Sequence, residues 1–242
     1  MLEQLTAKIG SAEAQGLGAA HGEPLEVLSS GINAFDSLLP GGGLPRGRLS
    51  ELSGARSSGK RALATAFCAT ALAAGRNVIW IDARGALGRF TPICALEAGL
   101  PLDRLLVLRP RPKVDPRDSL TKAAYRAADL VLGCGPAVAL LVIELPCFGE
   151  LRGSRQASKL SRLSRAAEAS ATALLFISEK SASRGSLGTF VALHIGVQRS
   201  PEAGSRAGAL QLTVVKSKLG NMAHRAEVAL DEPHGVRLDS TV

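Results

Sequence analysis

The chain is poor in aromatic residues, long apolar runs and clustered cysteines, and each scarcity argues against a class of protein. Aromatic side chains make up 3% of the 242 residues, which argues against a platform on which single-stranded bases stack. No apolar run approaches the roughly 20 residues of a membrane-spanning helix, and the N-terminal segment lacks a signal-peptide core. The cysteines lie far apart, without a CxxC pair or a neighbouring histidine cluster: Cys68, Cys94, Cys134 and Cys147. We therefore expect reduced cysteines in a cytoplasmic protein, and neither a disulfide framework nor a zinc site.

What the chain has in quantity is apolar and positively charged side chains. Hydrophobic residues make up 46% and charged residues 21% of the chain, which is long enough for one well-cored α/β domain. The formal net charge is +8 and the isoelectric point is near 9.8. This charge favours a polyanionic partner such as nucleic acid. A solvated basic surface without a partner has the same composition, so charge alone does not decide between them.

The strongest local pattern is a glycine loop within the segment ELSGARSSGKR, residues 51–61. Its GxxxxGK spacing lies between a predicted strand and a strongly helical run, the context in which such a loop holds phosphate groups. Backbone N–H groups, the positive end of the helix dipole and the lysine ammonium supply the attraction. The loop residues assigned to the site are Gly54, Ser57, Ser58, Gly59 and Lys60. The next position departs from the pattern, because Arg61 replaces the Ser or Thr whose hydroxyl holds Mg²⁺.

Apolar periodicity predicts strands that alternate with helices, followed by a run of strands. The predicted helices are 1–14, a short helix within 27–36, 61–74, 90–98, 119–132 and 154–171. The predicted strands are 47–53, 78–83, 105–108, 137–145, 173–178, 191–197, 210–216 and 226–231. This order predicts an α/β fold with a doubly wound, largely parallel sheet extended by antiparallel C-terminal strands.

The N-terminal region is predicted to differ from the rest of the chain. Residues 1–24 comprise an amphipathic helix and a Gly/Ala-rich linker, and residues 25–242 comprise the core domain. The helix has apolar residues at helical spacing, so it has a face to bury. Packing on its own core and packing on a neighbouring subunit both satisfy that requirement, and both stay open.

A series of segments along residues 27–239 resembles the core of bacterial RecA recombinase. The segments are SSGINAFDSLL, GGGLPRGRLSELSGARSSGK, VIWIDARGAL, ALLVIEL, ALLFISE and LTVVKSKLGNMAHRAEVAL. The resemblance implies the RecA-like P-loop fold, without the small C-terminal domain of RecA. The short, degenerate chain is similar to the ImuA family, accessory proteins of the bacterial mutagenesis cassette. That similarity implies translesion synthesis in the cytoplasm or at the nucleoid, with the polymerase-like ImuB, an error-prone replicative-type polymerase and RecA as partners.

The resemblance also marks the positions that ATP hydrolysis requires. It places Glu144 at the strand-end aspartate that positions the metal, Arg84 at the acid that activates water, and Glu179 at the glutamine that senses the γ-phosphate. With Arg61, these residues predict a cluster of ion pairs in place of Mg²⁺ and the γ-phosphate, since arginine and carboxylate form paired hydrogen bonds. We therefore expect no catalytic residues, no metal and no cofactor, while ATP binding without hydrolysis stays open.

Further basic residues are candidates for contacts outside the loop. Lys216 and Lys218 match the family's pair that reaches a neighbour's nucleotide across a filament interface, although an exposed strand face has the same spacing. The resemblance places DNA-binding loops at residues 146–154 and 180–188. The basic residues in or beside them are Arg152, Arg155, Lys159, Arg162, Lys180 and Arg184. Sequence-independent phosphate contact and a solvated basic helix face are the alternatives.

Three hypotheses about function follow from the residues and the resemblance. The first is a non-hydrolysing RecA-like adaptor that docks ImuB or RecA and touches DNA. The second is a DNA-dependent ATPase of the RecA type that tolerates Arg61. The third is a cell-division inhibitor of the SulA type, against which the retained glycine loop counts, because such a protein needs no phosphate site.

Overall fold

A computed structural model of the chain describes residues 25–85, 101–114, 119–145, 154–181, 184–200, 209–220, 225–231 and 235–236. The predicted helices at 1–14 and 90–98, the linker up to residue 24, and Arg152 lie outside the described residues. Within the described residues, a nine-stranded sheet carries α-helices on both faces.

The sheet is built from parallel strands at one side and antiparallel strands at the other. The strands are β1 (Val27–Leu28), β2 (Leu44–Pro45), β3 (Leu49–Gly54), β4 (Val78–Asp82), β5 (Leu105–Leu108), β6 (Leu140–Glu144), β7 (Ala173–Glu179), β8 (Val191–Ser200), β9 (Ala209–Ser217), β10 (Arg225–Asp231) and β11 (Gly235–Val236). The main sheet has the order β11–β10–β9–β8–β3–β7–β6–β4–β5. The strands from β8 to β5 in this order are parallel, and β9, β10 and β11 each run antiparallel to the preceding strand. The predicted doubly wound sheet with antiparallel C-terminal strands is therefore confirmed.

Four α-helices accompany the strands in the part of the chain that the structure describes, and local capping explains where two of them end or begin. The helices are α1 (Asn33–Asp36), α2 (Lys60–Ala73), α3 (Leu120–Leu132) and α4 (Ser154–Ala169). After α2, Gly75 has φ +69°, and the N–H groups of Gly75 and Arg76 donate to earlier carbonyls of the helix at 2.9 Å. This Schellman arrangement ends the helix at a glycine. At the start of α3, the Ser119 hydroxyl accepts from the Lys122 N–H at 3.3 Å. None of the described helices is long and apolar enough to cross a membrane.

Alternate residues of the central strands face two separate apolar layers. In β6, Leu140 and Val142 pack in the layer that contains α2, whereas Leu141 and Ile143 pack with α3 and α4. Because both faces are covered, apolar residues fill every position of such a strand except its end. This is why the strands appear in the sequence as continuous apolar runs.

The region before the glycine loop contains the short helix predicted within 27–36, which is α1. It also contains two short strands that the predicted strand list omitted, because Val27–Leu28 pairs with Leu44–Pro45 as an antiparallel β1–β2 ladder. The Asp36 carboxylate accepts from the N–H of Ser30 at 2.9 and 3.0 Å and closes the turn that precedes the helix. The predicted strand list also omitted β11, which pairs with β10.

The parallel strands bring the candidate residues to one edge of the sheet, which we call the carboxyl edge. Gly54 at the end of β3 is in register with Glu179 at the end of β7. Asp82 at the end of β4 is in register with Glu144 at the end of β6. Ligand sites of open α/β sheets lie beyond this edge. The topology therefore places the glycine loop and three carboxylates side by side.

Candidate functional site

The glycine loop between β3 and α2 has a backbone that requires its glycines. Gly59 has φ +95° and Ser57 has φ +60°. A Cβ at Gly59 would lie 2.6 Å from a side-chain carbon of Leu210, and a Cβ at Gly54 would lie 2.3 Å from the carbonyl oxygen of Val197. Contacts this short force a neighbour to move. The two predicted glycines are therefore needed where the loop packs against β8 and β9.

The two serines of the loop have different surroundings. Ser57 is exposed, and its carbonyl accepts from Nε of Arg199 at 2.9 Å. Ser58 is buried, and its hydroxyl has no hydrogen-bond partner among the described residues. The same hydroxyl would lie 2.4 Å from a Cβ at Gly54, so it packs under the loop.

Lys60, the lysine of the GxxxxGK pattern, folds back onto the loop. Its Nζ donates to the carbonyl oxygens of Gly54 at 3.0 Å and Ala55 at 2.7 Å. Burial lowers the pKa of this ammonium, and the negative charge of Glu179 opposes that effect. The loop's own carbonyls thus satisfy the charge that the pattern assigns to a phosphate.

Arg61 occupies the position at which the GxxxxGK pattern continues with Ser or Thr, and it binds Glu144. Its Nε donates to the two Glu144 oxygens at 2.8 and 3.1 Å, and a terminal nitrogen donates to Oε1 at 2.7 Å. The Glu144 side chain is 2% exposed and that of Arg61 is 45% exposed. The hydrogen bond to Glu144 is the main reason why the pKa of Arg61 is raised. The strand-end carboxylate is therefore occupied by a guanidinium that covers it from solvent.

A second arginine–carboxylate pair joins Arg84 and Glu179 at the same edge. The Arg84 guanidinium donates to Glu179 Oε2. This hydrogen bond is the main reason why the pKa of Glu179 is lowered. Both pairs act electrostatically on the ammonium of Lys60, so the four residues form one cluster around it. The structure thus contains ion pairs among the four predicted residues, and their occupation of the place of Mg²⁺ and the γ-phosphate stays a prediction.

The sequence analysis missed a third acid of the carboxyl edge, Asp82. Its side chain is 0% exposed and lies 3.5 Å from Nε of Arg109. Asp82 also raises the pKa of Arg61, after the larger effects of Glu144 and burial. The available signal was the acid that ends the apolar segment VIWID, as Glu144 ends ALLVIE. The edge therefore contains three carboxylates, each facing an arginine.

The residues at the carboxyl edge fit a phosphate group but not a hydrated metal. The loop keeps its glycines and Lys60, which suit an anion. Arg61 has donors and no lone pair for a cation, and both Glu144 and Glu179 are bound by arginines. Among the described residues, no group of three or more His, Cys, Asp or Glu is placed to hold a metal ion.

Lys180, predicted to contact DNA, lies in the protein interior instead. Its Nζ is 2.6 Å from Glu51 Oε1 and donates to the Gly185 carbonyl at 2.6 Å. Glu51 also accepts from the Ser178 hydroxyl at 2.5 Å and from the Leu187 N–H at 2.7 Å. The two charged side chains are 1% and 0% exposed. This corrects the expected exposure of Lys180, because the buried Glu51 needs a cation beside it.

His194 extends this interior cluster, which the sequence analysis did not single out. Its Nε2 lies 2.7 Å from Oγ of Ser53 and 3.9 Å from Glu51 Oε2. Its Nδ1 is buried without a hydrogen-bond partner among the described residues. Burial lowers the pKa of His194 to about 4, against an opposing effect of Glu51. The imidazole is therefore neutral at physiological pH.

The remaining lysines of the predicted interface contact their own chain. Nζ of Lys216 donates to the Gly188 carbonyl at 3.0 Å, and Nζ of Lys218 donates to the Thr189 carbonyl. Both bonds join β9 to the end of the loop that follows β7. Arg184 is exposed in that loop. Contact of Lys216 and Lys218 with a neighbour's nucleotide stays a prediction.

The structure places Arg155, Lys159 and Arg162 on α4. Arg155 is exposed and Lys159 is half-buried. Nε of Arg162 donates to Asp129 of α3 at 2.8 Å, and this ion pair joins the two helices. The three residues therefore lie on or beside the surface that α4 presents near α3. Their contact with DNA stays a prediction.

One known protein family matches most of the sequence. The family described as RecA N-terminal domain matches residues 1–183. The chain belongs to this RecA family. Protein RecA of Streptomyces venezuelae is 32% identical over 188 residues, which cover 74% of this chain and 48% of that protein. Protein RecA of Leifsonia xyli subsp. xyli is 35% identical over 143 residues, which cover 59% and 37% of the two chains. In these two matches the RecA-family chain spans about half of the curated relative's length or less.

The RecA-family chain also has a structural counterpart. The crystal structure of the RadB recombinase aligns with a TM-score of 0.65 and covers 86% of this chain and 98% of that chain. The two sequences are 21% identical over the alignment. This likeness shows the shared fold, a mostly parallel central sheet with antiparallel C-terminal strands, and it agrees with the predicted fold class.

Proposed function

We propose that this RecA-family chain is a non-hydrolysing accessory protein of the ImuA type, acting in translesion synthesis after DNA damage. The observation that carries the proposal is the pairing of Arg61 with Glu144 and of Arg84 with Glu179 beside the glycine loop. These pairs use the two carboxylates of the edge that the RecA resemblance assigns to the metal and to the γ-phosphate. The chain keeps the loop and fills the positions around it with its own charges.

Hydrolysis would need groups that these side chains cannot supply. A metal needs oxygen ligands, and water needs a base to accept its proton. Arginine carries only donors and stays protonated, so Arg61 and Arg84 perform neither role. Loss of a single well-placed stabilising group costs about 10² or more in rate. Two such losses at one site support binding or scaffolding rather than turnover.

The proposed partners are an ImuB-like polymerase accessory, RecA itself and DNA, in the cytoplasm. Support comes from the family membership, the quoted motif series and the net charge of +8. An accessory role requires surfaces rather than catalysis, which suits a chain whose phosphate site is filled by ion pairs. Co-purification of the full chain with candidate RecA and ImuB proteins tests these partners. Recovery of neither partner would contradict the accessory role.

Phosphate release in the presence of ATP, Mg²⁺ and single-stranded DNA tests the absence of hydrolysis. We expect the purified chain to release no more phosphate than its Lys60→Ala variant, because both lack the groups for turnover. A DNA-stimulated RecA preparation serves as the positive control. Release that depends on Lys60 would contradict the proposal.

The second candidate function is a DNA-dependent ATPase of the RecA type. The observation in its favour is the retained loop, in which close packing still requires glycine at positions 54 and 59. A retained lysine at position 60 points the same way. The phosphate-release assay separates the two functions, since only the ATPase predicts a rate that Lys60→Ala abolishes.

A further inference from the structure

The chain that leads into β8 forms neither helix nor strand over residues 184–190, and we call these residues the β7–β8 segment. The buried ion pair of Glu51 and Lys180 holds this segment in place. The Leu187 N–H donates to Glu51 Oε2 at 2.7 Å, and Nζ of Lys180 donates to the Gly185 carbonyl at 2.6 Å. The two charged side chains lie 2.6 Å apart. One pair of charges therefore fixes two points of the segment.

His194 lies beside the same ion pair. Its side chain is 0% exposed, and its Nε2 is 2.7 Å from Oγ of Ser53 and 3.9 Å from Glu51 Oε2. The charged groups that act on the imidazole are Glu51 on β3, Lys180 after β7 and Lys216 on β9. Two cations and one carboxylate therefore already lie around the neutral ring.

The other titratable groups near this ion pair do not offset an added positive charge. Burial raises the pKa of the Tyr125 hydroxyl on α3, and the charge of Glu51 raises it further, so this phenol stays neutral. Arg184, at the start of the β7–β8 segment, is a further cation that acts on Lys180. Lys180 itself stays protonated at acidic pH, because a carboxylate this close favours the charged form.

A protonated ring does not fit this arrangement. An imidazolium has two N–H donors. Nε2 has the Ser53 hydroxyl within reach, but Nδ1 is buried without a hydrogen-bond partner among the described residues. The imidazolium would also share the single carboxylate of Glu51 with Lys180, which leaves an excess cation away from solvent. Protonation of His194 is therefore favourable only after another cation has left the cluster.

We propose that proton uptake by His194 releases the β7–β8 segment, because the imidazolium replaces Lys180 as the partner of Glu51. The movement that this exchange requires is small, since Nε2 already lies 3.9 Å from the carboxylate. When the Lys180 ammonium moves into solvent, its bond to Gly185 is lost and the bond from Leu187 to Glu51 is weakened. The segment thus has an acid-sensitive latch. This latch does not depend on the proposed accessory function.

The direction of the pH effect follows from proton linkage. While the segment is held, burial keeps the pKa of His194 at about 4. Once Lys180 has left, Glu51 favours the imidazolium, so the ring titrates at its ordinary pKa near 6.5 or above. The released form therefore binds more protons between these two values, and its population rises as the pH falls. Between pH 6.5 and pH 5 the equilibrium constant for release should rise about tenfold.

Hydrogen exchange of the Leu187 amide in the full chain, followed by NMR at pH 6.5 and pH 5, tests the latch. The protection factor divides the intrinsic exchange rate by the observed rate, so it removes the direct effect of pH on exchange. Global unfolding depends steeply on urea, whereas a local opening exposes little surface and does not. The amide of the buried Val142 in β6 reports global unfolding. We expect the Leu187 protection factor to be insensitive to dilute urea and to fall about tenfold on acidification.

Three variants, each checked for folding by circular dichroism, identify the groups that exchange. In His194→Gln the fall should be less than threefold, because no proton is taken up. Lys218→Met is the matched control: it removes the bond from this lysine to the Thr189 carbonyl, and it should keep the tenfold fall. In Lys180→Met the protonated His194 gains a carboxylate that has lost its nearest cation. Acidification should therefore raise the Leu187 protection factor in that variant.

Three results would overturn the proposal. One is a Leu187 protection factor that follows that of Val142 in both urea and pH, since the segment would then open only when the whole chain unfolds. Another is an equal fall in the wild type and in His194→Gln, which would assign the pH effect to a different group. A fall in a folded Lys180→Met variant as large as that of the wild type would show that Lys180 is not the cation that is replaced. If Lys180→Met does not fold, the comparison with His194→Gln alone decides.

Discussion

The carboxyl edge and the interior cluster of Glu51, Lys180 and His194 pair cations with carboxylates in different surroundings. At the carboxyl edge, each of the three carboxylates lies beside an arginine: Glu144, Glu179 and Asp82 beside Arg61, Arg84 and Arg109. At the edge the three arginine side chains are 45%, 24% and 58% exposed, whereas in the interior cluster the Lys180 and Glu51 side chains are 1% and 0% exposed. The first region keeps its cations partly in solvent. The second removes both charges from solvent.

This difference shows that burial decides how strongly a pair of charges affects stability. The glycine loop retains its shape because Gly54 and Gly59 pack against neighbouring strands. Its lysine is satisfied by loop carbonyls, so an anion would have to compete with existing bonds there. We therefore expect the largest stability effects in the interior cluster and smaller ones at the carboxyl edge.

The largest expected effect comes from the interior pair that lies behind the edge, Glu51 and Lys180. Lys180→Met removes the cation beside a carboxylate that is 0% exposed. An uncompensated buried charge should lower the free energy of unfolding by about 3–5 kcal/mol. Urea denaturation at neutral pH measures the change.

Two further variants show whether the effect belongs to the pair. Arg184→Met, at an exposed position of the same loop, should change the free energy of unfolding by no more than about 0.5 kcal/mol. Adding Glu51→Gln to Lys180→Met should recover most of the loss, because no unpaired charge remains. The amide oxygen accepts from the Leu187 N–H in place of one carboxylate oxygen, and the amide NH2 donates to the Ser178 hydroxyl in place of the other. A double variant as unstable as the single one would disprove the paired-charge account.

The next largest effect is the dependence of stability on pH that His194 causes. The unfolded histidine takes up a proton near pH 6.5, whereas burial keeps the folded imidazole neutral until about pH 4. Between these values the unfolded chain binds more protons, so stability falls as the pH is lowered. The expected loss from this group is about 2 kcal/mol between pH 6.5 and pH 5, at 1.36 kcal/mol per pH unit.

Urea denaturation across this range, in the wild type and in His194→Gln, measures the histidine's share. The groups that face the imidazole are Glu51, Lys180 and Lys216, and all three remain in the variant. We expect the variant to lose less stability on acidification by the amount stated above. Identical pH profiles for the two proteins would show that His194 does not titrate in this way.

A smaller loss of stability is expected when the Arg61–Glu144 pair of the carboxyl edge is broken. Arg61→Met leaves Glu144, which is 2% exposed, without its fork. Because Arg61 is itself partly in solvent, the loss should be about 1 kcal/mol. A double-mutant cycle with Glu144→Gln measures the coupling. The exposed Arg56→Met is the matched control, and it should leave the free energy of unfolding unchanged. A coupling energy of zero would show that the Arg61–Glu144 pair does not stabilise the fold.

The features that could be predicted from the sequence are mainly those that the residues of one short segment determine. Apolar runs gave the central strands, and GxxxxGK placed Gly54, Gly59 and Lys60 between β3 and α2. The RecA resemblance put Arg61, Arg84, Glu144 and Glu179 together, and the parallel strands do end at one edge. Such strands must align their carboxyl ends, so strand order was enough to predict these pairs.

Features that depend on partners from distant segments were not predictable in this way. Lys180 follows an apolar strand and looks like a loop cation, but its position depends on Glu51 in a strand far earlier in the chain. Glu51 is an acid among alternating polar and apolar residues, a pattern typical of a half-exposed strand. It is buried because both faces of β3 are covered, with Leu49 in the layer of α3 and α4 and Leu52 in the layer of α2. Pairing of Asp82 with Arg109 likewise follows from the neighbouring positions of β4 and β5.

The most direct test of the filled phosphate site is a titration of the purified chain with a fluorescent ATP analogue and Mg²⁺. If Lys60 is held by the loop carbonyls and the carboxylates by arginines, the wild type should show no saturable binding below millimolar concentration. The Lys60→Ala variant should give the same trace as the wild type. Sub-millimolar binding that Lys60→Ala abolishes would contradict the account.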